Sequence, residues 1–292
     1  MSDDFLQPGN TTRRIQSGGR ERSYHVHVPP GYDGARPMPV VLAFHGATSN
    51  GRLMEMFCGL SAKADQEGCL AVYPNGTGNQ PNVLTWNGGD CCGYAKNNEV
   101  DDVAFVHDML ADLAKVVAAD SARIYAAGMS NGAQMVYRLA AEMSDCIAAV
   151  AAVAGPMGLE TVRPARPISV LHFHGTDDRF APYQGGVGER SVYGSSFRSV
   201  EHTIGAWIHA NECPPEPRVE FFPDKVGDGT VIWRKVYGPG IAGSEVALVV
   251  VEGGGHTWPG QPPLPAQLGK STMNISANDW IWEFFLRHPL RY

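Results

Sequence analysis

Short, uninterrupted apolar runs alternate along this chain with longer stretches in which apolar residues recur at helical spacing. Pro39 to Phe44 (PVVLAF) is apolar throughout and closes on His45-Gly46, the pattern of a strand buried on both faces. Cys69 to Tyr73 is a second such run, ended by Pro74-Asn75-Gly76, and the stretch between them, from Met54 to Glu67, reads as a helix stopped by Gly68. Val103, Val106, Met109, Leu110, Leu113, Val116 and Val117 then recur at helical spacing behind Asp101 and Asp102, whose carboxylates suit the positive end of a helix dipole. Arg123 to Ala127, Ile147 to Ala154, Ile168 to His174 and Glu245 to Glu252 supply further strands, with a helical run from Ala133 to Met143 after the first of them. Ser276, with Asp279 three residues on, has the spacing of a helix-capping pair and opens a last helix that stops before Pro289.

Alternation of this kind predicts an α/β fold with a mostly parallel central sheet and helices on both faces. In such sheets the chemistry gathers at the carboxyl ends of the strands. Clusters of Pro and Gly at 155–167, 181–195, 213–217 and 253–269 read as loops over that edge. With 292 residues, 43% of them hydrophobic, the chain can bury one large core, so the expectation is a single catalytic domain over 1–292 with no separate binding domain.

Charge narrows the partners. The net charge is −7 and no run of Lys or Arg marks a nucleic-acid or membrane-surface footprint, so neutral or weakly charged substrates fit better, a condition that a small-molecule or oligosaccharide-linked ester meets, and the oligomeric state stays open. The longest apolar stretch near Cys146 to Ala154 is far short of the roughly 20 residues of a membrane span. The amino-terminal residues lack a basic region followed by an apolar one, so an export signal is expected to be absent or removed. Six cysteines, at 58, 69, 91, 92, 146 and 213, fall into no zinc-binding spacing, and neither a metal nor a cofactor is called for. Cys91 and Cys92 are adjacent in a turn-rich loop. In an oxidising compartment one of them is expected to bridge to a distant cysteine, and in a reducing one all six remain thiols.

The chemistry centres on Gly128-Met129-Ser130-Asn131-Gly132, which lies between a strand and a helix. A G-x-S-x-G sequence in that context holds a serine in a strained, positive-φ turn with Oγ projecting from the sheet. Such a serine needs a base and the base needs an orienting acid, and both belong at the ends of later strands in the order Ser, acid, His. The strand from Ile168 runs into His174-Gly175-Thr176-Asp177-Asp178, and the strand from Glu245 runs into Gly253-Gly254-Gly255-His256. Ser130 is therefore expected as nucleophile, His256 as general base, and Asp178 as the acid that fixes the His256 tautomer, with Asp177 as the fallback. His172 and His174 are expected as packed or hydrogen-bonded strand residues. The Asn131 N–H supplies one donor of an oxyanion hole, and the bend at Gly46 points to the Ala47 N–H as the second.

His45-Gly46-Ala47, Tyr73-Pro74-Asn75-Gly76, Trp86-Asn87 to Cys91-Cys92, Val100-Asp101-Asp102-Val103, the serine pentapeptide, His174 to Asp178 and Gly254 to Gly260 follow one another across nearly the whole chain. Together they resemble the polyhydroxybutyrate depolymerase family of esterases, within carbohydrate esterase family 1, which also holds feruloyl and acetylxylan esterases. The resemblance implies an α/β-hydrolase fold, carboxylic ester hydrolysis, a triad of Ser130, Asp178 and His256, and a site bordered by the Trp86 to Gly93 loop. It also implies secretion, for which the start of this chain shows no leader, so that a cytoplasmic location is the alternative.

The ester itself is open to three readings. Trp86, Trp258 and Tyr183, with Tyr193, are expected to wall the site and to suit a hydroxycinnamoyl group or a sugar face. That favours a feruloyl-esterase-like activity on hydroxycinnamoyl or short acyl esters of plant carbohydrate. The runner-up is a depolymerase-type esterase acting on hydroxybutyrate oligomers, and a serine peptidase on the same fold is weaker because no gating domain is seen. From another class, the chain could be a non-catalytic α/β-hydrolase relative that only binds a ligand.

Overall fold

A computed structural model describes residues 5–263 and 265–291. In chain order the strands are β1 (Gly9–Ser17), β2 (Arg20–Val28), β3 (Met38–Phe44), β4 (Leu70–Pro74), β5 (Ala119–Met129), β6 (Ala149–Val153), β7 (Ser169–Gly175), β8 (Gly186–Val187), β9 (Ser196–Phe197), β10 (Arg218–Phe222), β11 (Val231–Tyr237) and β12 (Val246–Glu252). The helices are α1 (Gly51–Cys58), α2 (Leu60–Glu67), α3 (Gly93–Asn97), α4 (Asp102–Leu113), α5 (Asn131–Glu142), α6 (Val200–Ala210) and α7 (Ala277–Arg287). Ten strands form one sheet in the order β1-β2-β4-β3-β5-β6-β7-β12-β11-β10, and β8 pairs only with β9. The central six, from β4 to β12, are parallel; β1 and β2 at one edge and β10 and β11 at the other run antiparallel to their neighbours.

The all-apolar strands divide their side chains between two cores. Val40, Leu42 and Phe44 of β3 pack on the face covered by α4, α5 and α6, while Val41 and Ala43 pack on the face covered by α1, α2 and α7. A strand buried on both sides cannot show a period of two, which is why these segments read as continuous apolar runs. The helix expected from Met54 to Glu67 is two helices. Asn50 caps the first by accepting the Leu53 N–H, and Gly59, at φ 63°, ends it and turns the chain into the second. The last helix starts as read, with Ser276 Oγ accepting the Asp279 N–H.

The antiparallel edges lie outside the elements that the apolar pattern predicts. β1 and β2 form a hairpin closed by Gly18-Gly19, both at positive φ as a two-residue hairpin turn requires. Along β2, Arg22, Tyr24, Val26 and Val28 are buried and the residues between them are not, the alternation of a sheet covered on one face. Among the described residues no helix is long and apolar enough to cross a membrane.

Two buried polar connections brace the loops at the carboxyl edge of the sheet. Arg22 and Asp102 form an ion pair at 2.7 Å with both side chains enclosed, and the other carboxylate oxygen of Asp102 accepts the Asn87 N–H at 2.9 Å, which fixes the start of the 86–93 loop. Further along the sheet, the Tyr137 hydroxyl, His172 and His174 are joined in a chain. The distances are 2.7 Å from Tyr137 to His172 Nδ1, 3.0 Å from His172 Nε2 to His174 Nδ1, and 2.7 Å from His174 Nε2 to the Ala181 carbonyl. The direction of every proton follows from its last member. A carbonyl only accepts, so His174 carries its hydrogen on Nε2; burial keeps the ring neutral, so Nδ1 accepts from His172 Nε2–H, and His172 Nδ1 accepts from the tyrosine. Both histidines are hydrogen-bonded strand residues, as the sequence predicts.

Burial lowers the pKa of His172 well below, and that of His174 below, the ordinary 6.5, and brings His45 and His288 to about 4. Above pH 6.5 folded and unfolded chains are alike neutral at these rings. Below it the unfolded chain takes up protons that the folded one refuses, and each such ring removes up to about 1.4 kcal/mol of stability per pH unit. Urea unfolding at a series of pH values is expected to show stability falling steadily from pH 6.5 downward, and a profile flat to pH 5 would contradict the neutral chain.

Candidate active site

The Gly128 to Gly132 turn joins β5 to α5, and its geometry follows from crowding. Ser130 has φ 56° and ψ −121°, a conformation that costs an L residue of order 1–3 kcal/mol. It is held there by its N–H donating to the Val153 carbonyl at 2.9 Å and by its carbonyl receiving the Gln134 N–H at 3.1 Å. The flanking glycines are needed for space. A Cβ on Gly128 would stand 2.5 Å from the Gly132 carbonyl oxygen, and one on Gly132 would overlap the carbonyls of Phe44 and His45. The turn is thus pressed against the end of β3, and Gly46 lies directly beneath the Ser130 side chain, with room for a Cβ only at 3.4 Å from the serine Cβ.

The segment just past the end of β3 carries the residue expected to supply the second donor, Ala47. His45 is fully buried; its Nδ1 bonds the Gly46 carbonyl at 2.7 Å and its Nε2 accepts the Gly76 N–H at 3.0 Å. Its Nδ1 therefore carries the hydrogen, and burial keeps the ring neutral by lowering its pKa to about 4. The Gly46 carbonyl and the Ala47 N–H belong to one planar trans peptide and point in opposite directions. By holding the carbonyl, His45 turns the Ala47 N–H the other way, toward the serine pocket. Among the described residues neither the Ala47 nor the Asn131 N–H donates to a protein acceptor.

His256 and Asp178 come together from the ends of β12 and β7. Asp178 Oδ2 lies 2.7 Å from His256 Nδ1, while Oδ1 accepts the N–H groups of Phe180 and Ala181 at 2.8 and 2.9 Å. Burial pushes the Asp178 carboxyl up, but the charge of His256, its hydrogen bond and the neighbouring His174 outweigh this and hold it below the usual carboxylate value. His174 Nε2 is 3.5 Å from the same Oδ2, so the tyrosine–histidine chain ends against the acid. Asp177 is exposed and accepts only the Thr176 hydroxyl, at 3.1 Å. The glycines before His256 pack under the end of β7 and against residues 268–270. The Asp177 N–H donates to the Gly254 carbonyl at 2.9 Å and the His256 N–H to the Leu268 carbonyl at 2.7 Å, which fixes the approach of the chain to His256.

Ser130 and His256 line one pocket of about 530 Å³, without a direct hydrogen bond between the two side chains. Its walls are apolar: Leu53, Met56 and Phe57 of α1, Met129, Phe180 and Val192. The Phe180 ring stacks on His256 with centroids 5.0 Å apart.

Three of the four aromatic residues expected to wall the site, Trp86, Trp258 and Tyr183, lie elsewhere, and the fourth, Tyr193, is exposed beside Gly93 and does not line the pocket. Trp86 is completely buried; its indole N–H donates to the His45 carbonyl at 3.0 Å and its ring packs against Phe44 and Phe105, so it supports the loop after β3 from behind. Its backbone is clasped by the Asn131 side chain, which accepts the Trp86 N–H at 2.7 Å and donates to the Trp86 carbonyl at 3.0 Å. Trp258 is also buried, its N–H on Asn278 Oδ1 at 3.0 Å. Tyr183 bonds Glu201 at 2.8 Å and lines a separate hollow beside Trp233. Each has its polar tip on a protein partner, and none of the three presents a ring to the pocket of Ser130 and His256. Phe180 is signalled in the sequence only by its place two residues after Asp178, and the α1 residues by apolar side chains on the outward face of a short helix, where Met56 is 79% exposed.

The cysteine expectation is corrected too. Cys91 and Cys92 bond each other as a vicinal disulfide, and Cys58, Cys69, Cys146 and Cys213 are free. The loop encloses both sulfurs beneath α5, while the four other cysteines belong to α1, to the starts of β4 and β6, and to the turn after α6.

Comparison with known proteins agrees with this architecture. A family model described as Esterase PHB depolymerase matches residues 22–202. The chain is 31% identical to the putative esterase NocK of Nocardia uniformis subsp. tsuyamanensis, covering 94% of this chain and 82% of that protein. It is 28% identical to feruloyl esterase B of Piromyces equi over 80% of this chain, but spans only 42% of that longer protein. Among solved structures, an acetyl xylan esterase from Aspergillus awamori superposes with a TM-score of 0.60 over 94% of this chain and 98% of its own, at 14% identity, which speaks for a shared α/β-hydrolase fold. The chain is a carboxylic ester hydrolase and belongs to the PHB depolymerase esterase family.

Proposed function

We propose that the enzyme hydrolyses hydroxycinnamoyl or short acyl esters of plant carbohydrate through an acyl-enzyme formed on Ser130. The observation that carries this reading is the convergence, at one apolar pocket, of a serine in a strained turn, an imidazole fixed by a buried carboxylate, and two backbone N–H groups without protein acceptors. Ser130 Oγ attacks the ester carbonyl as His256 Nε2 takes its proton, and the imidazolium is stabilised by Asp178. The oxyanion is met by the N–H groups of Ala47 and Asn131, with the amino end of α5 adding favourable potential. His256 then returns the proton to the leaving alcohol, and water reverses the sequence to release the acid. The bond from His256 to Ser130 need form only with substrate present, since such contacts tighten in the complex.

The acyl pocket, flanked by Phe57 and Phe180, suits a planar aromatic acid better than a charged one. The relatives named as feruloyl esterases support that choice. Hydroxybutyrate oligomers are the second reading, favoured by the family match and by the three methionines of the wall, Met54, Met56 and Met129, which adapt to flexible aliphatic chains.

Replacing Ser130 or His256 by Ala is expected to remove roughly four to six orders of magnitude of turnover, and Asp178→Asn about 10⁴-fold, with the fold intact by circular dichroism. An unimpaired Asp178→Asn enzyme would refute the assignment of the acid. The Ala47 donor can be tested through the ring that orients it: His45→Phe is expected to lower kcat by about 10²-fold with KM little changed, the loss typical of one oxyanion donor. A panel of methyl ferulate, acetylated xylan and hydroxybutyrate oligomers decides the acyl group. Release of ferulate is expected to dominate, and to fall on Phe180→Ala by about tenfold in kcat/KM through lost ring contact. Preference for the hydroxybutyrate oligomers would install the second reading.

A further inference from the structure

A second concavity opens at the same rim of the sheet. It encloses about 980 Å³ between the β1–β2 hairpin, the segment 75–84 that follows β4, and the first residues of α1. Five arginines line it, at 13, 14, 20, 22 and 52, against one acidic residue, Glu21, although the chain as a whole carries a net charge of −7. Three of the five are neutralised in place: Arg13 on Asp112 at 2.7 Å, Arg14 on Glu21 at 2.6 Å and Arg22 on Asp102 at 2.7 Å. Among the described residues Arg20 and Arg52 have no carboxylate within ion-pair range. Arg20 touches the Tyr94 hydroxyl at 3.4 Å and Arg52 the Thr12 hydroxyl at 3.3 Å, which leaves most of the donors of each guanidinium open.

The positions of these two cations say what they fit. Arg20 pairs with Ser17 at the closed end of the hairpin and reaches Tyr94, whereas Arg52 comes from α1 and reaches Thr12, so the two guanidiniums are held by different elements of the cleft wall. Beside the charged residues the lining holds neutral hydrogen-bonding side chains: Ser23, Asn50, Thr77 and Asn82. Two buried polar atoms of lining residues, Thr77 Oγ1 and Arg22 Nε, have no partner among the described residues. Nucleic acid carries one charge per nucleotide, roughly every 3.4 Å of strand, and would meet too few cations here. A polyhydroxylated chain with sparse carboxylates matches both the neutral hydrogen-bonding side chains and the separately held guanidiniums.

The cleft and the serine pocket share a wall. Gly46 to Ser49 and Leu53 face the pocket, Asn50 and Arg52 face the cleft, and the segment is fastened by Thr48 N–H to the Leu84 carbonyl at 2.9 Å and Leu84 N–H to the Ser49 carbonyl at 3.1 Å. The one segment from Gly46 to Leu53 thus contributes to both. We infer that the cleft binds the sugar chain of the ester substrate through its uronic-acid carboxylates, on Arg20 and Arg52, while an acylated neighbouring sugar presents its ester to Ser130. The presentation of the ester rests on the esterase reading above; the binding of an acidic oligosaccharide does not.

Calorimetric titration of the Ser130→Ala protein with galacturonate oligomers and with neutral xylo-oligosaccharides, at low ionic strength, tests the cleft apart from the chemistry. Galacturonate is expected to bind and the neutral sugars to bind far more weakly. The double variant Arg20→Gln/Arg52→Gln should weaken the acidic ligand about tenfold or more, as should added salt. With Ser130 restored, the same double variant should turn over nitrophenyl acetate at the wild-type rate. No galacturonate binding, equal binding of neutral chains, or an unchanged affinity in the double variant would overturn the inference, and tighter binding of a single-stranded RNA oligomer would replace it with a nucleic-acid site. A wild-type enzyme inert toward nitrophenyl acetate would sink the esterase reading and leave the cleft to be judged by titration alone.

Discussion

The site depends on one backbone constraint: Ser130 is held in a left-handed conformation by a turn squeezed between the ends of β3 and β6. An isolated chain would relax that residue. Here the Val153 carbonyl, the first turn of α5 and the carbonyls of Phe44 and His45 leave it no room to do so, and any side chain at 128 or 132 would force the layers apart. Because the same squeeze sets Gly46 against the serine, Ser130 and the neighbouring Ala47 peptide are fixed relative to each other by the packing of adjacent strand ends.

A second layer of buried polar groups supports this arrangement, and each member has a defined direction. His45 turns the Ala47 peptide, Trp86 bonds the His45 carbonyl, and Asn131 clasps Trp86 through its side chain while its backbone N–H meets no acceptor among the described residues. The Arg22–Asp102 pair secures the next residue, Asn87. On the other flank, the chain from Tyr137 through His172 to His174 ends at the acid that holds His256. Such networks are costly when half satisfied and rigid when complete. These networks flank Ser130 and His256 on either side, and the pocket between them is walled mainly by apolar side chains.

The central parallel strands and the serine turn are legible in the sequence because each is written locally: a run of apolar residues with a glycine stop, or a serine with two glycines at fixed offsets. The carboxylate and the histidine are legible because topology dictates which strand ends converge. The features that escape are set by tertiary contact. Trp86 and Trp258 look like loop aromatics in sequence, yet both side chains are drawn inward, since their N–H groups find buried acceptors. The pocket wall instead comes from α1, whose apolar outward face has no rationale until the serine is seen beside it. The N-terminal hairpin does carry a signal, Gly18-Gly19 between alternating residues, and the antiparallel edge it forms builds the arginine-lined cleft. The vicinal pairing of Cys91 and Cys92 cannot be told from a long-range bridge without knowing where the other four cysteines lie.

The most direct test of the central claim, that Ser130 is the activated nucleophile of this site, is covalent labelling with a fluorinated organophosphonate followed by peptide mass mapping. The account predicts one adduct per chain, on the peptide bearing Ser130, formed much more slowly in His256→Ala. A protein that hydrolyses esters yet takes up no label, or carries it at another residue, would contradict it.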